Sequence, residues 1–463
     1  MKTAIIRASW MEGYGYRLDT KPYVGGALQT KILLEELSLR KDPLHKLTKG
    51  HDGGIYNGPQ FRRNYVEDPA YGVRFLTGSS MQLADLSNVS LLSKQDATGK
   101  KLRHLRLEKG MTLISCSGSI GKMAYVRPEM EGIWSSQDIL KVVPDPEKIP
   151  PGYLYAFLSS KFGVPLVTSG TYGAIIQHLE PEHIADIDVP RLDPKEELKI
   201  HNLVEEAARL RSEASEAKAK AVSELFELTG LPIEEQSASE PFASINSSRL
   251  ESRLDARFHG KRHVSAYDAV AQNPHGFQTL GSLSCSIVEP LRFKRVPMDQ
   301  SEHSVGLFGS AGILNADPVP NYWIQPPKPI RAYQILENSI LVPRSGSLNG
   351  IIGTPVIPIG DVIGAVVTED AIRVNFEDPI SFGFAFIALH NWIGIMQLKS
   401  RAYGSAIPHL DVTQIGKVIL PTCPAEDFKR IGILGCEVRN LRNEAVEAER
   451  SAISQLEQAL TAR

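Results

Sequence analysis

Between Pro194 and Leu228 apolar residues return at every seventh position: Ile200, Ala207, Ala214, Ala221 and Leu228, interleaved with Leu203, Leu210 and Ala217. This is the a/d spacing of a helix seam, and it predicts one continuous amphipathic helix whose b, c and f positions, rich in Glu, Lys and Arg, stay in water. Adding 231 to each number gives Ile431, Val438, Ala445, Ala452 and Ala459, with Leu434, Leu441 and Ala448. The second helix keeps the register of the first. The two are expected to pack on each other, with alanine at many seam positions permitting close approach. Pro194 near the start and Gly230 in "TGLP" set the ends of the first helix.

Upstream of each helix the pattern shortens to strand length. "MTLISCSG" and "SILVPRSG" read as apolar strands running into a Ser-Gly turn, and "GIWSSQDILKVVP" and "AVVTEDAIRVNF" as paired strands. "GYLYAFLSSKFG" and "GFAFIALHNWIG" read as short buried helices closed by glycine. The order is the same both times, and the residues repeat with it. "YGAIIQHLEPEHIADIDVP" ends at Pro190 and "YGSAIPHLDVTQIGKVILP" at Pro421, sharing Tyr172/Tyr403, Gly173/Gly404, Ile176/Ile407, His178/His409, Leu179/Leu410 and Ile184/Ile415. "SGSIG" from Ser117 answers "SGSLN" from Ser345, Asp138 aligns with Asp370, and "RLDTKPYVGG" from Arg17 answers "RLDARFHGKR" from Arg253. A repeat of this length governs the architecture.

The fold class expected is α/β (mixed α+β): two tandem globules, each followed by a long helix, the helices forming an antiparallel coiled coil with approximate two-fold symmetry. The boundaries read as a first globule over 1–193, a helix over 194–230, a Pro/Ser/Glu-rich linker over 231–250, a second globule over 251–423 and a second helix over 424–463. A rod of about 35 residues would separate the globules by up to roughly 50 Å.

Composition narrows the classes. A chain of 463 residues, 42% hydrophobic and 22% charged, has ample surface to bury in more than one domain. It shows no bilayer-length apolar run and no basic-then-apolar leader, so a cytoplasmic location and no membrane contact are expected. Cys116, Cys285, Cys423 and Cys436 are scattered without a CxxC pair, which suggests neither a disulfide framework nor a zinc site. A net charge of -2 does not announce a nucleic-acid binder. Its distribution is more informative: from Phe61 to Pro128 eleven Lys/Arg stand against five Asp/Glu. The second half has a smaller cluster in "RFKR" (Arg292, Lys294, Arg295), with Arg331 and Arg344 further on.

Taken in order, the strand running into "SGSIG", the "SSQDILKV" strand, the "GYLYAFLSS" helix, the "YG...I..HL" segment and the proline opening a long helix resemble the specificity subunit of type I restriction-modification systems. The resemblance covers about nine-tenths of the chain, counting both copies. It implies a non-catalytic protein in which each globule is a target-recognition domain reading one half of a split site in double-stranded DNA, the helices acting as a ruler. It further implies DNA methyltransferase subunits as partners, optionally with ATP-driven restriction subunits, so that S-adenosylmethionine and ATP belong to the partners and no cofactor to this chain. Two departures stand out: Lys122 follows the first turn whereas Asn349 stands at that place in the second, and the linker between the halves is long.

Candidate DNA-binding residues are Lys100, Lys101, Arg103 and Lys122 in the first globule and Arg292, Lys294, Arg295 and Arg344 in the second. Lys and Arg supply salt-sensitive phosphate affinity and, in the major groove, base readout. Ser117 and Ser345 stand on turns beside glycine and could offer hydroxyl and N–H groups to phosphate, besides shaping the turn. Tyr172 and Tyr403 read first as packing residues and second as stacking ones, and His178 and His409 as local bonding partners. Neither a glycine-rich dinucleotide loop, a phosphate-binding G-x-x-x-x-G-K-S/T motif, a His-E-x-x-His pair nor a nucleophile elbow is present, so no catalytic or metal site is expected. Asp193, Glu197 and Lys199 suggest metal-dependent cleavage only superficially, since they begin the heptad helix and read as capping it or facing solvent. Three rival readings stay open: a stand-alone DNA-binding module or S-like subunit of another phage-defence system, a hidden nuclease, and a scaffold that binds only proteins.

Overall fold

The heptad-bearing segments form the helices Pro194–Thr229 and Ala425–Thr461 in the computed structural model, which describes residues 5–12, 21–170, 178–233, 245, 247, 250, 253–404 and 406–462. The expected a positions are buried on both: Ile200, Ala207, Ala214 and Ala221, then Ile431, Val438, Ala445 and Ala452. Most d positions are not. Leu203, Ala217, Leu434, Leu441 and Ala448 are half-buried, and the deeper burial lies one place later, at e. There Val204, Arg211, Lys218 and Leu225 correspond to Gly435, Arg442, Glu449 and Leu456, all buried. Each helix covers part of a globular unit as well as the other helix, so its buried stripe is wider than a two-stranded seam.

The chain divides into two compact units, Met1–Ser212 with Glu444–Arg463, and Glu213–Asn443. Each unit therefore contains part of both long helices. In the first, Ala452, Leu456 and Leu460 share one core with Ile200, Val204 and Ala208, and Arg211 pairs with Glu449. In the second, Glu224 pairs with Arg430 at 3.2 Å. The partner's number falls as the first helix's number rises, which is antiparallel pairing. Gly230, at φ +66°, ends the first helix in the left-handed conformation that glycine adopts without a Cβ penalty.

Both units are mixed α+β and repeat one set of pairings. In the first, Thr112–Ser115 pairs antiparallel with Ile139–Val142 (Leu113 opposite Lys141), and the next strand in that sheet is Ile55–Tyr56. In the second, Ser339–Pro343 pairs with Ala371–Asn375 (Leu341 opposite Arg373), flanked by Ser286–Val288. The segments expected to form paired strands instead break into two strands that serve different sheets. Trp134–Ser135 runs parallel to Gly72–Leu76 (Phe75 opposite Trp134), just as Val366–Val367 runs parallel to Val305–Phe308 (Leu307 opposite Val366). Lys41–Pro43 with Asp188–Pro190, and Phe277–Thr279 with Ile419–Pro421, complete the correspondence.

The short apolar helices are Pro151–Ser159 and Gly163–Ser169 in the first unit, and Pro379–Leu389 and Trp392–Ser400 in the second. Among the described residues no single helix is long and apolar enough to cross a membrane. The residues 234–244 of the expected linker, Arg17, and Thr171–Gln177 with Tyr172, Gly173 and Ile176 lie outside the described residues.

Candidate nucleic-acid interface

A strand that must reverse within a few residues needs backbone that only glycine takes easily, and both Ser-Gly turns have it: Gly118 at φ +72° and Gly346 at φ +130°. A Cβ built at either would meet nothing within 4 Å, so conformation and not crowding demands the glycine. In the first unit the Ser115 hydroxyl donates to Ser119 O at 2.6 Å and accepts from Lys122 N at 3.0 Å, tying the loop across its neck. Ser117 then bridges antiparallel to His178, and Leu179 N donates to Cys116 O at 3.0 Å. The second unit repeats this: Ser345 bridges His409, and Leu410 N donates to Arg344 O at 2.8 Å. The repeated "HL" is thus the strand fragment that pins the repeated "SG" turn.

Side chains reinforce the second copy. The Ser345 hydroxyl is 3.1 Å from Asp370 Oδ1 and 2.9 Å from His409 Nδ1. Serine here sits between the carboxylate and the imidazole, whereas a hydrolytic relay needs histidine in the middle, so the trio fixes a turn. Tyr403 and His409 close a loop by exchanging backbone bonds of 2.9 and 2.8 Å. Tyr403 is 46% exposed and Ile407 59%. The packing role expected for Tyr403 is therefore wrong: its ring is exposed to solvent, and its backbone bridges the same His409 that pins the Ser345 turn. The base of the loop is held from a distant stretch of sequence, since Arg253 of "RLDARFHG" donates to Arg401 O at 2.6 Å and Ala402 O at 3.3 Å while pairing with Asp255.

The candidate cations divide by unit. Lys100, Lys101, Arg103 and Lys122 are exposed, and among the described residues none of them pairs with a carboxylate; Lys101 Nζ lies 3.4 Å from Gln60 O. In the second unit Lys294 is exposed, while Arg295 pairs with Glu369, and Arg292 approaches the same carboxylate at 3.6 Å. Burial opposes ionisation of Glu369, but its backbone N–H and the two guanidiniums prevail and hold its carboxyl below the ordinary value. Arg344 pairs with Glu289 at 2.5 Å and donates to Leu410 O at 3.2 Å, bracing the turn. Lys122 and Asn349 are both exposed at the ends of their turns.

Sequence reasoning aligned Asp138 with Asp370 but missed its partner, and missed the buried Lys141 beside it. Asp138, the equivalent of Asp370, pairs with Arg63 at 2.5 Å. Lys141 has no exposed surface; its ammonium bonds to Ser136 O at 3.1 Å and Ile139 O at 2.9 Å, and burial brings its pKa down to about 7. Burial likewise pushes the neighbouring Cys116 thiol up to about 12, which leaves it protonated and unreactive. Its place in the "ISCSG" strand was the one available signal, as an apolar position. Among the described residues no group of three or more His, Cys, Asp or Glu could hold a metal ion.

No protein-family model and no curated protein matches this chain. Solved structures similar to it include a type I restriction-modification S subunit from M. genitalium, at 12% identity and TM-score 0.34, over 92% of this chain and 95% of that one. Another is the HsdS subunit from Thermoanaerobacter tengcongensis, at 14% identity and TM-score 0.29, over 92% and 97%. A third comes from work on complex assembly and conformational transition of the type I R-M system, at 13% identity and TM-score 0.27, over 92% and 99%.

Proposed function

We propose that the chain is a sequence-specific DNA-recognition subunit of a type I restriction-modification system, without catalytic residues of its own. Two target-recognition regions, over 1–193 and 251–423, each read one half of a gapped site in double-stranded DNA. The long helices set the gap and offer their free faces to DNA methyltransferase subunits, with restriction subunits joining in some assemblies. S-adenosylmethionine and ATP belong to those partners. Lys100, Lys101, Arg103, Ser117 and Lys122 contact DNA from the first region, and Arg292, Lys294, Arg295, Arg344 and Ser345 from the second.

The observation that carries this reading is the duplicated turn. Ser117 with His178 and Ser345 with His409 make the same backbone bridge in two units whose surrounding cations differ, which is what two readers of different half-sites require. Selection from a randomised duplex library by the chain with its methyltransferase is expected to return a gapped consensus. Deleting one heptad from both helices shortens each by about 10 Å and is expected to shorten the gap by roughly three base pairs. A continuous consensus, or none, overturns the reading. The nuclease alternative predicts cutting of DNA by the purified chain with Mg²⁺, and none is expected.

A further inference from the structure

The first unit also holds a cleft of about 560 Å³ that takes no part in the turn. Its lining includes His51, Tyr56, Arg103, His104, Arg106 and Trp134. The rings of His51 and His104 stack at 4.2 Å and 27°, and Tyr56 meets them edge-on at 4.9 and 5.8 Å. Tyr56 is buried, and its hydroxyl donates to His104 O at 3.0 Å, fixing the turn that carries Arg103 and His104. The Trp134 ring is held by a 3.0 Å bond from Nε1 to Ala97 O, with the Arg106 guanidinium 5.7 Å from its centroid. Burial first, then the neighbouring His51 and Lys141, lower the pKa of the His104 imidazole against the opposing pull of Asp52. Flat faces of fixed orientation therefore lie beside two guanidiniums, with Lys100 and Lys101 a few residues before them.

The second unit shows that the scaffold does not need this cluster. Arg106 bridges Trp134 as Gln334 bridges Val366, and Leu107 exchanges bonds with Gly132 and Ile133 as Ile335 does with Gly364 and Ala365. Gln334, Ala332 and Val366 thus stand where Arg106, His104 and Trp134 stand in the first unit. Arg331 keeps the place of Arg103, while the places of His104, Arg106 and Trp134 carry neither ring nor cation, so those three answer some demand other than the frame. A cavity of this size, lined by π faces and guanidiniums, suits a planar heterocycle carrying a phosphate. Glu108 also lines the cleft and supplies an acceptor for exocyclic amino groups.

We propose that this cleft seats one unpaired nucleotide, its base against His51, His104 and Trp134 and its phosphate against Arg103 and Arg106. The assignment rests on the DNA-reading function and adds a site that only the first unit has. The test is calorimetric titration of the full chain with dAMP, a five-residue deoxyadenosine strand, inorganic phosphate and the duplex recovered by selection. Two variants accompany it: H104A/R106Q/W134V, which grafts in the second unit's residues, and His51→Ala, which alters a half-exposed side chain and guards against a graft that fails to fold. Binding of the strand is expected, weaker by at least about fivefold in either variant, as loss of base stacking gives. Phosphate binding is expected to be unchanged in His51→Ala. Tighter binding of the strand than of dAMP assigns an unpaired base of DNA, and equal binding assigns a free nucleotide. If the strand binds both variants as it binds the native chain, or if the native chain binds the selected duplex but neither dAMP nor the strand, the cleft proposal fails with the DNA-reading function intact. If it binds neither duplex nor strand, the DNA-reading function itself fails.

Discussion

The two units build one frame and dress it differently. Opposite Leu113 the first buries Lys141, and opposite Leu341 the second buries Arg373, which donates to Gln334 O and Ala332 O. A cation inside a sheet is tolerated in both because backbone carbonyls, and not a carboxylate, accept its hydrogen bonds. The frame is thus specified by pairing and burial, while the side chains around it are free to diverge. The units also differ in how closely their short helix meets the long helix that follows it. A Cβ at Gly152 would lie 2.8 Å from His201 Nδ1, a side chain able to move, and 2.9 Å from its backbone oxygen; at Gly383 it would lie 2.0 Å from Gly432 O, which cannot. Gly383→Ala is therefore expected to cost on the order of 4 kcal/mol, whereas Gly152→Ala costs about 1 to 2 kcal/mol. Denaturant melts of the full chain, followed by hydrogen exchange in each unit, decide it. Equal costs would mean that the helices do not meet as closely as their glycines imply.

The buried cations sharpen the contrast through pH. Lys141 titrates near 7 when folded and near 10.5 when unfolded, so between those values the unfolded chain binds more protons. Stability of the first unit then rises as pH climbs from about 7 towards 10, and the burial penalty is complete below 7. The swing is on the order of 5 kcal/mol. Arg373 is also lowered by burial, from a far higher starting value, and stays charged throughout. Protection of Ile139–Val142 against hydrogen exchange, taken relative to the intrinsic rate at each pH, is expected to rise across that window while that of Ala371–Asn375 does not follow, and Lys141→Met is expected to abolish the rise. A rise that survives the substitution would locate the titration elsewhere.

How much of this could be read from sequence follows the same division. The repeat, the a positions and the serine-glycine turns were legible, because each rests on local spacing or on a backbone that only glycine supplies. The e positions were not. Arg211, Lys218, Arg442 and Glu449 carry charges that a heptad reading assigns to solvent, and their burial comes from packing within the units. Tyr403 was misassigned because a tyrosine beside a glycine carries no mark of whether its loop folds in or out. The cleft was illegible for another reason: His51, Tyr56, His104 and Trp134 come from separate segments and meet only once the sheet is made.

The repeated "RLD" motif shows what such a reading can find and not explain. Arg253 fastens the carbonyls that precede Tyr403, which turns an alignment match into a positioning device. Arg253→Ala is expected to quicken exchange in residues 403–410 and to weaken specific DNA binding about tenfold, while leaving the helix Ala425–Thr461 protected. A loop that exchanges no faster would separate the motif from the loop. Arg17 holds the same place in the repeat, so Arg17→Ala tests whether the first unit uses the device too.

The smallest effect separates the charged surfaces. Lys100 and Lys101 have no carboxylate partner among the described residues, so each phosphate they meet releases a counterion in full. Replacing both with Ala is expected to lower the slope of log affinity against log salt by about 2. Arg292 and Arg295 already share Glu369, and a cation that must leave a carboxylate before it reaches a phosphate gains less. Replacing that pair with Ala is expected to lower the slope by less than about 1. Glu369→Gln, which frees both guanidiniums, is expected to steepen it. Equal losses from the two pairs would show that Glu369 gives up its arginines to DNA without cost, and the electrostatic difference between the units would then be one of the free protein only.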